Sequence, residues 1–336
     1  TVLGYILYNA LFAPFLTHFS RISGIYRPIV IASAWTGYEF LKSIGYLAYP
    51  WGLSAYPFAE IHPLTQIADI TGVWGLCFLA LLSNTLLAEI FSGRAEHDTF
   101  SSHLKQIQNG LLVHPFRAGF NRASVFIHFF LILLMATLVY GYIRLSDEIP
   151  VEKHVRMVLV QQNIDPWINN NEIRSLKKGI DLSRDGIRRA NGTADIVVWS
   201  ETSLNRPLEQ SRFFYENRPS GDPLLPFIRN HNSYFLIGLP LSLEREYVAF
   251  GNGTALISPE AKVVDTYAKQ HPVPFAENFP FYEYKIVREF VRNIVGLYGV
   301  WDMGSRDTVF TIPIADSSAE TLQFSTPVCF EDAFGE

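Results

Sequence analysis

Apolar residues run almost unbroken through four stretches of the first half of the chain, at residues 2 to 19, 29 to 48, 70 to 90 and 123 to 145. Each approaches the ~20 helical residues that cross a hydrocarbon core of about 30 Å, so the pattern predicts four membrane helices. Buried helices of a large soluble protein are the competing account. From Val155 the period shortens. VRMVLVQ (155 to 161), DIVVW (195 to 199), YFLIGL (234 to 239), TALIS (254 to 258), KVVDTY (262 to 267), TVFTIPI (308 to 314) and LQFSTPVCF (322 to 330) read as strands bounded by polar or turn residues. Between the first two, Ile173, Leu176, Ile180, Arg184 and Ile187 fall at helical spacing, with Asn170 or Asn171 as the cap. A strand, helix, strand unit followed by more strands predicts a layered α/β domain with reactive groups at strand ends. Ile286, Val287, Phe290, Ile294 and Leu297, within the 281 to 306 segment, mark one more amphipathic stretch. Periodicity alone leaves it open as a lid or lipid contact, or as a helix packed on its own domain.

Composition sharpens the division. The 336 residues are 49% hydrophobic and 18% charged, yet residues 1 to 150 hold only 16 of the 59 charged side chains. Two solvents are implied: a helical transmembrane domain over 1–147 and a water-facing α/β domain over 151–336. Loop 20 to 28 carries Arg21 and Arg27, and loop 91 to 122 carries Arg94, Lys105, Arg117 and Arg122, whereas loop 49 to 69 has no Lys or Arg. Positive loops stay cytoplasmic, which sends everything after about residue 148 to the outside. Glu39 and Lys42 share one helical face and are read as a pair snorkelling near the outer interface. Trp51, Tyr56 and Trp74 fit an aromatic belt, and Cys77 fits a small buried hydrophobe.

A net charge of −5 offers no basic field for a phosphate backbone, so no nucleic-acid partner is expected. Two cysteines make no disulfide framework, and the nine histidines form no ligand spacing, so no metal is expected either. Three runs place a reactive side chain at a strand end: VVWSETSL (197 to 204) with Glu201, AKQHPVPFAENFP (268 to 280) with Lys269, and STPVCFEDAF (325 to 334) with Cys329. A thiol is a nucleophile only as thiolate, which calls for a base and a nearby cation. A carboxylate can take the proton, and an ammonium can stabilise both the thiolate and the oxyanion that follows. Taken singly, each is more often a loop carboxylate, a surface lysine or a core cysteine.

Those runs, in this order, together with PWGLSAYP and PLTQIADITGVWGLCFL (50 to 79) and VRMVLVQQNI (155 to 164), resemble the apolipoprotein N-acyltransferase family. That family is the membrane-anchored branch of the carbon-nitrogen hydrolase, or nitrilase, superfamily. The resemblance implies an α-β-β-α sandwich, here without its C-terminal part, because the chain stops seven residues past Cys329 and starts inside an apolar run, as a piece lacking both ends would. It implies Cys329 as nucleophile, Glu201 as general base and Lys269 as the oxyanion-stabilising cation, with Glu277 and Glu331 in support and Trp167 near the acyl-binding pocket. Three positions depart from the family pattern: Ser200 for Pro, Ala276 for Gly and Phe330 for Tyr. The implied reaction is ping-pong acyl transfer from a phospholipid to the amine of a diacylglyceryl-cysteine apolipoprotein at the extracytoplasmic face of a bacterial inner membrane, without cofactor or metal. A membrane-tethered amidase and a non-catalytic transport or scaffold protein are the alternatives. They are separable by whether Cys329 retains an acyl group and whether Cys329→Ser leaves function intact.

Overall fold

The computed structural model describes residues 2–21, 26–91, 116–151, 153–168, 171–243, 250–295, 300–314 and 317–334. Arg94, Lys105, Asn170 and Leu297 lie outside them. The chain divides into two compact units, Thr1–Pro150 and Val151–Phe334.

The first unit is helical: α1 (Val2–Ser20), α2 (Arg27–Lys42), the short α3 (His62–Thr65), α4 (Ala68–Phe91) and α5 (Phe116–Ser146). Pro28 occupies the first turn of α2, where its missing N–H is not needed. Gly72 takes φ 61° and breaks α4 near its start, a conformation costly for any other residue. Ala32, Leu81, Leu82, Leu86 and Phe126 form one buried cluster between α2, α4 and α5, while Leu53, Ala55, Leu64, Leu76 and Cys77 form a second. Arg27 pairs with Glu89 at 3.3 Å, bringing the start of α2 to the end of α4. At the opposite end of α4, Asp69 accepts from Tyr140 (2.7 Å) and Arg144 (3.2 Å) on α5.

Two helices among the described residues, Ala68–Glu89 and Phe126–Ser146, are long and apolar enough to cross a membrane. The expected 29 to 48 span is shorter: α2 ends at Lys42, where Ser43 N–H turns back to the Phe40 carbonyl and Gly45 adopts φ +80°. Nor do Glu39 and Lys42 snorkel outward, since each is 3% exposed. Glu39 accepts from the Ser54 hydroxyl (2.7 Å), the Ser54 N–H (3.1 Å) and the Trp35 indole (3.3 Å). Lys42 donates to the Trp51 carbonyl at 3.1 Å. The two charges grip the 51–54 loop because a buried ion needs nearby dipoles more than it needs the surface.

The second unit is built on a five-stranded sheet in the order β1 (Met157–Val160), β2 (Ile196–Trp199), β3 (Tyr234–Ser242), β4 (Phe250–Ile257) and β5 (Val263–Ala268). The first three strands run parallel, Val158 opposite Val197 and Val197 opposite Phe235, and β3 to β5 continue antiparallel. The parallel step from β1 to β2 requires a crossover, supplied by α6 (Asn171–Arg189). Two short helices, α7 (Arg212–Asn217) and α8 (Leu224–Arg229), follow β2. On one face of the sheet, Leu176, Ile180 and Ile187 of α6 and Leu225 and Ile228 of α8 pack on Val158, Val197, Phe235 and Ile237. On the other face, Ile196, Leu236 and Leu256 meet Phe310 and Ile312 of a second sheet, β6 (Phe310–Ile314) paired with β7 (Ser317–Phe324).

A helix layer and two sheet layers are thus present; a second helix layer is not found among the described residues. The strand expected over 322 to 330 is displaced. β7 ends at Phe324, and Cys329–Ala333 turns into a 3₁₀ helix after Pro327, which has no N–H for a ladder. The amphipathic segment is helical as α9 (Lys285–Phe290), running into a π turn at Val291–Val295. Ile286, Phe290 and Ile294 of the expected apolar face are 77%, 56% and 72% exposed, and the buried residue is Val291.

Candidate functional site

Four chain segments meet at one end of the five-stranded sheet. The turn after β2 carries Glu201, and its position depends on β3: a Cβ on Gly238 would stand 2.5 Å from the Ser200 carbonyl oxygen and 2.7 Å from Glu201 Cα. Only a residue without a side chain lets the strand backbone approach so closely. Leu204 N–H donates to the Gly238 carbonyl at 3.1 Å and closes the turn. Glu201 itself is exposed and accepts from Asn252 Nδ2 on β4 at 2.6 Å.

Lys269 directly follows β5. Its N–H bonds to the Asn252 carbonyl and its carbonyl accepts from Gly304 N–H, both at 2.8 Å, so the backbone is held on two sides. The side chain is 1% exposed, and its ammonium lies 2.8 Å from Glu277 Oε2 and 3.0 Å from Oε1. A buried ammonium needs such a partner. Glu277 is fixed in turn by Val273 N–H, which donates to Oε2 at 2.7 Å.

Cys329 opens the 3₁₀ turn, with φ +55° and an exposed side chain. A positive φ at a non-glycine residue is strained backbone, which persists where the surroundings impose it and is concentrated at reactive sites. What imposes it here is Glu331, 5% exposed, whose Oε2 accepts from Val328 N–H (2.8 Å). Its Oε1 accepts from Tyr267 Oη (2.8 Å), Gln270 N–H (2.6 Å) and His271 N–H (3.0 Å). One carboxylate thus ties the thiol-bearing turn to the loop that follows Lys269. Burial, and after it the same carboxylate, push the Tyr267 phenol up, so it stays a donor at any physiological pH.

The ionisation of the Cys329 thiol registers all three neighbouring charges. Partial burial, the largest cause, pushes it up even though the side chain is still open to solvent. Glu201 adds to the rise, Lys269 opposes it, Glu277 adds again, and the Phe330 N–H opposes. The resting group is therefore a thiol beside a carboxylate that can accept its proton and an ammonium that can stabilise the anion. That combination suits acyl transfer through a thioester.

Glu201, Lys269, Cys329, Glu277 and Glu331, the five residues that the sequence motifs single out, all come to this end of the sheet. Trp167 lies in the loop after β1, 50% exposed, edge-on to Trp301 with ring centroids 5.8 Å apart. That loop is tied to the Glu201 turn by Asn205 Nδ2, which donates to the Pro166 carbonyl at 3.2 Å, while Trp301 N–H donates to the Glu277 carbonyl at 2.7 Å. The departures are accommodated locally. Ser200 Oγ is 3.2 Å from Gln162 Oε1, Ala276 is exposed, and Phe330 is buried edge-on to Phe334. The sequence motifs do not single out Asn252, Gly238, Tyr267 or Trp301. For Asn252 a signal existed: β4 begins at Phe250, four residues before the expected strand, and an amide inside FGNGTALI interrupts a buried run.

A thiol, an amine and carboxylates gathered at the strand ends of a layered α/β unit form a site suited to thiol-based acyl chemistry. Residues 1–86 match the family model described as the apolipoprotein N-acyltransferase N-terminal domain. Apolipoprotein N-acyltransferase 2 of Treponema denticola is 35% identical, over 92% of this chain and 55% of its own. Apolipoprotein N-acyltransferase 2 of Treponema pallidum is 30% identical over 99% and 60%, and the apolipoprotein N-acyltransferase of Borreliella burgdorferi is 28% identical over 100% and 58%. Over nearly all of its length the chain is similar to apolipoprotein N-acyltransferases, and it spans little more than half the length of these relatives. Among solved structures, the NitN amidase from a Nesterenkonia species aligns with 51% of this chain and 56% of its own at 13% identity, with a TM-score of 0.32, too loose a superposition to bear on the site.

Proposed function

We propose that this chain carries the reacting groups of an N-acyltransferase that moves an acyl chain from a membrane phospholipid to the terminal amine of a diacylglyceryl-cysteine apolipoprotein. The observation that carries the reading is that an exposed thiol, at a strained turn, is tied through Glu331 to the loop that follows the Lys269–Glu277 pair, at the sheet end where Asn252 holds Glu201.

In this mechanism Glu201 takes the Cys329 proton as Sγ attacks the ester carbonyl of the donor. Lys269, held by Glu277, stabilises the oxyanion of the tetrahedral intermediate. Collapse breaks the acyl C–O bond, the glycerol oxygen recovers the proton from Glu201, and lysophospholipid leaves with a thioester on Cys329. The apolipoprotein amine then attacks the thioester, losing a proton to Glu201, and collapse of the second intermediate returns that proton to the sulfur. No electrons change hands. Glu331 acts by holding the thiol-bearing turn, and the Trp167 indole lines the path of the acyl chain.

The helical unit would anchor this chemistry in a bacterial inner membrane by multiple spans, α1, α2, α4 and α5, with the α/β unit on the extracytoplasmic side. The positive charges at 21 to 27 and 117 to 122, against none at 49 to 69, support that orientation. Anchoring enzyme and both substrates to one membrane raises their effective concentration. The exposed Ile286, Phe290 and Ile294 suit a lipid contact that would keep water from the thioester.

The test is incubation of the membrane-reconstituted protein with phosphatidylethanolamine labelled in its acyl chain. The expected result is a hydroxylamine-labile label on Cys329 that moves to a diacylglyceryl-cysteine peptide with a free amine and stays put when that amine is acetylated. Release of free fatty acid without such transfer would favour a hydrolase and overturn the assignment.

A further inference from the structure

Asn252 stands inside β4, whose residues Gly251 to Ile257 are all buried, and is itself 1% exposed. An amide in such a place destabilises the fold unless its polar atoms are bonded, and a Leu or Val would suit the strand better. Its Oδ1 is buried with no hydrogen-bond partner. The cost is therefore only half offset, by a single bond: Nδ2 to Glu201 Oε1 at 2.6 Å. The main-chain carbonyl of the same residue takes the Lys269 N–H at 2.8 Å. One residue thus touches the side chain of the carboxylate and the backbone of the cation that act on the Cys329 thiol from opposite signs of charge.

We propose that Asn252 is a positioning residue for thiol deprotonation, engaging one oxygen of the Glu201 carboxylate so that the other is left to receive the Cys329 proton, while setting the start of the Lys269 segment. The inference rests on the reading of Glu201 as base. An amide suits the position because it donates at every pH without adding charge. An aspartate would donate only when protonated and would otherwise set a second anion against Glu201. The charged or titratable groups around this point are Lys269 after β5, Glu277 in the next loop, Cys329 on its turn, and Asp302, whose N–H bonds to the Phe250 carbonyl at the start of β4.

The test uses the membrane-reconstituted protein and p-nitrophenyl butyrate, which reports acylation of Cys329 as a burst of one p-nitrophenolate per thiol. Asn252→Leu is expected to keep or raise the thermal midpoint while the burst rate falls about thirtyfold or more, because the base loses its fixed orientation. Asn252→Asp is expected to show a similar loss at pH 8, shrinking about tenfold relative to wild type as the pH is lowered toward 5, where a protonated carboxyl donates again. A burst in Asn252→Leu within about threefold of wild type overturns the inference, since misplaced catalytic groups cost far more. So does a lowered midpoint in Asn252→Leu together with a pH-independent loss in Asn252→Asp, which marks a structural role. A wild-type protein without a burst removes the base reading and this inference with it. A wild-type burst without acylation from phosphatidylethanolamine removes only the phospholipid assignment.

Discussion

Each unit of this chain buries a lysine beside a glutamate and carries one cysteine, yet the two sets of identical groups end in different states. In the helical unit, Glu39 and Lys42 both hydrogen-bond to the 51–54 loop and Cys77 is 0% exposed. In the α/β unit, Lys269 and Glu277 bind each other, Cys329 is exposed, and an additional carboxylate, Glu201, stands open beside it. Residue type does not separate a structural set from a reactive one. Accessibility of the thiol does, together with a carboxylate, Glu201, that has an amide and no cation as its bonded partner among the described residues.

The strongest challenge to that contrast is to exchange the cysteines' fates. Cys329→Ala should remove acylation by at least about a thousandfold, while Cys77→Ala should leave it intact. Label retention from phosphatidylethanolamine checks both, and loss of acylation in Cys77→Ala would erase the distinction.

Next in size are changes to the charges around Cys329. Glu201→Gln should lower acylation by about 10²–10⁴ while making the thiol easier to ionise, because a charge that pushes it up is gone. Iodoacetamide alkylation at pH 7 should therefore quicken. Lys269→Met removes the opposing charge, so its alkylation should slow as acylation falls. The two variants moving alkylation in the same direction would contradict the electrostatics. Lys269→Met also leaves Glu277 without its partner and should cost about 3 kcal/mol in stability, read as a lower unfolding midpoint. Lys42→Met is expected to destabilise its own unit with Cys329 alkylation unchanged.

Gly238→Ala tests whether backbone approach sets Glu201. The added methyl must displace the Ser200 to Thr202 turn, and about a tenfold to hundredfold loss of acylation with alkylation retained is expected. The smallest effect belongs to Trp301→Ala, which removes the edge-on contact to Trp167 and should cost about 1 kcal/mol of stability.

Much of the α/β unit was legible because alternation and helical spacing are local: Ile173 to Ile187 mark α6, and DIVVW marks β2 within a residue. The end of α2 was not, since apolar residues continue through Ile44, Tyr46 and Leu47 while Gly45 turns the chain. The displaced strand before Cys329 failed for a related reason. STPVCF reads as β by composition, but Pro327 and the four bonds to Glu331 decide its path.

By itself the sequence determined the division into apolar and charged halves, most of the strands and the candidate reactive residues, because hydropathy, periodicity and motif order are properties of neighbouring positions. Only the tertiary structure decided that Glu201, Lys269 and Cys329 come to one end of the sheet, that Glu39 and Lys42 turn inward, and that Asn252 bonds both the Glu201 side chain and the Lys269 backbone. Those outcomes depend on distances between strands far apart along the chain and on which polar groups the fold leaves without water.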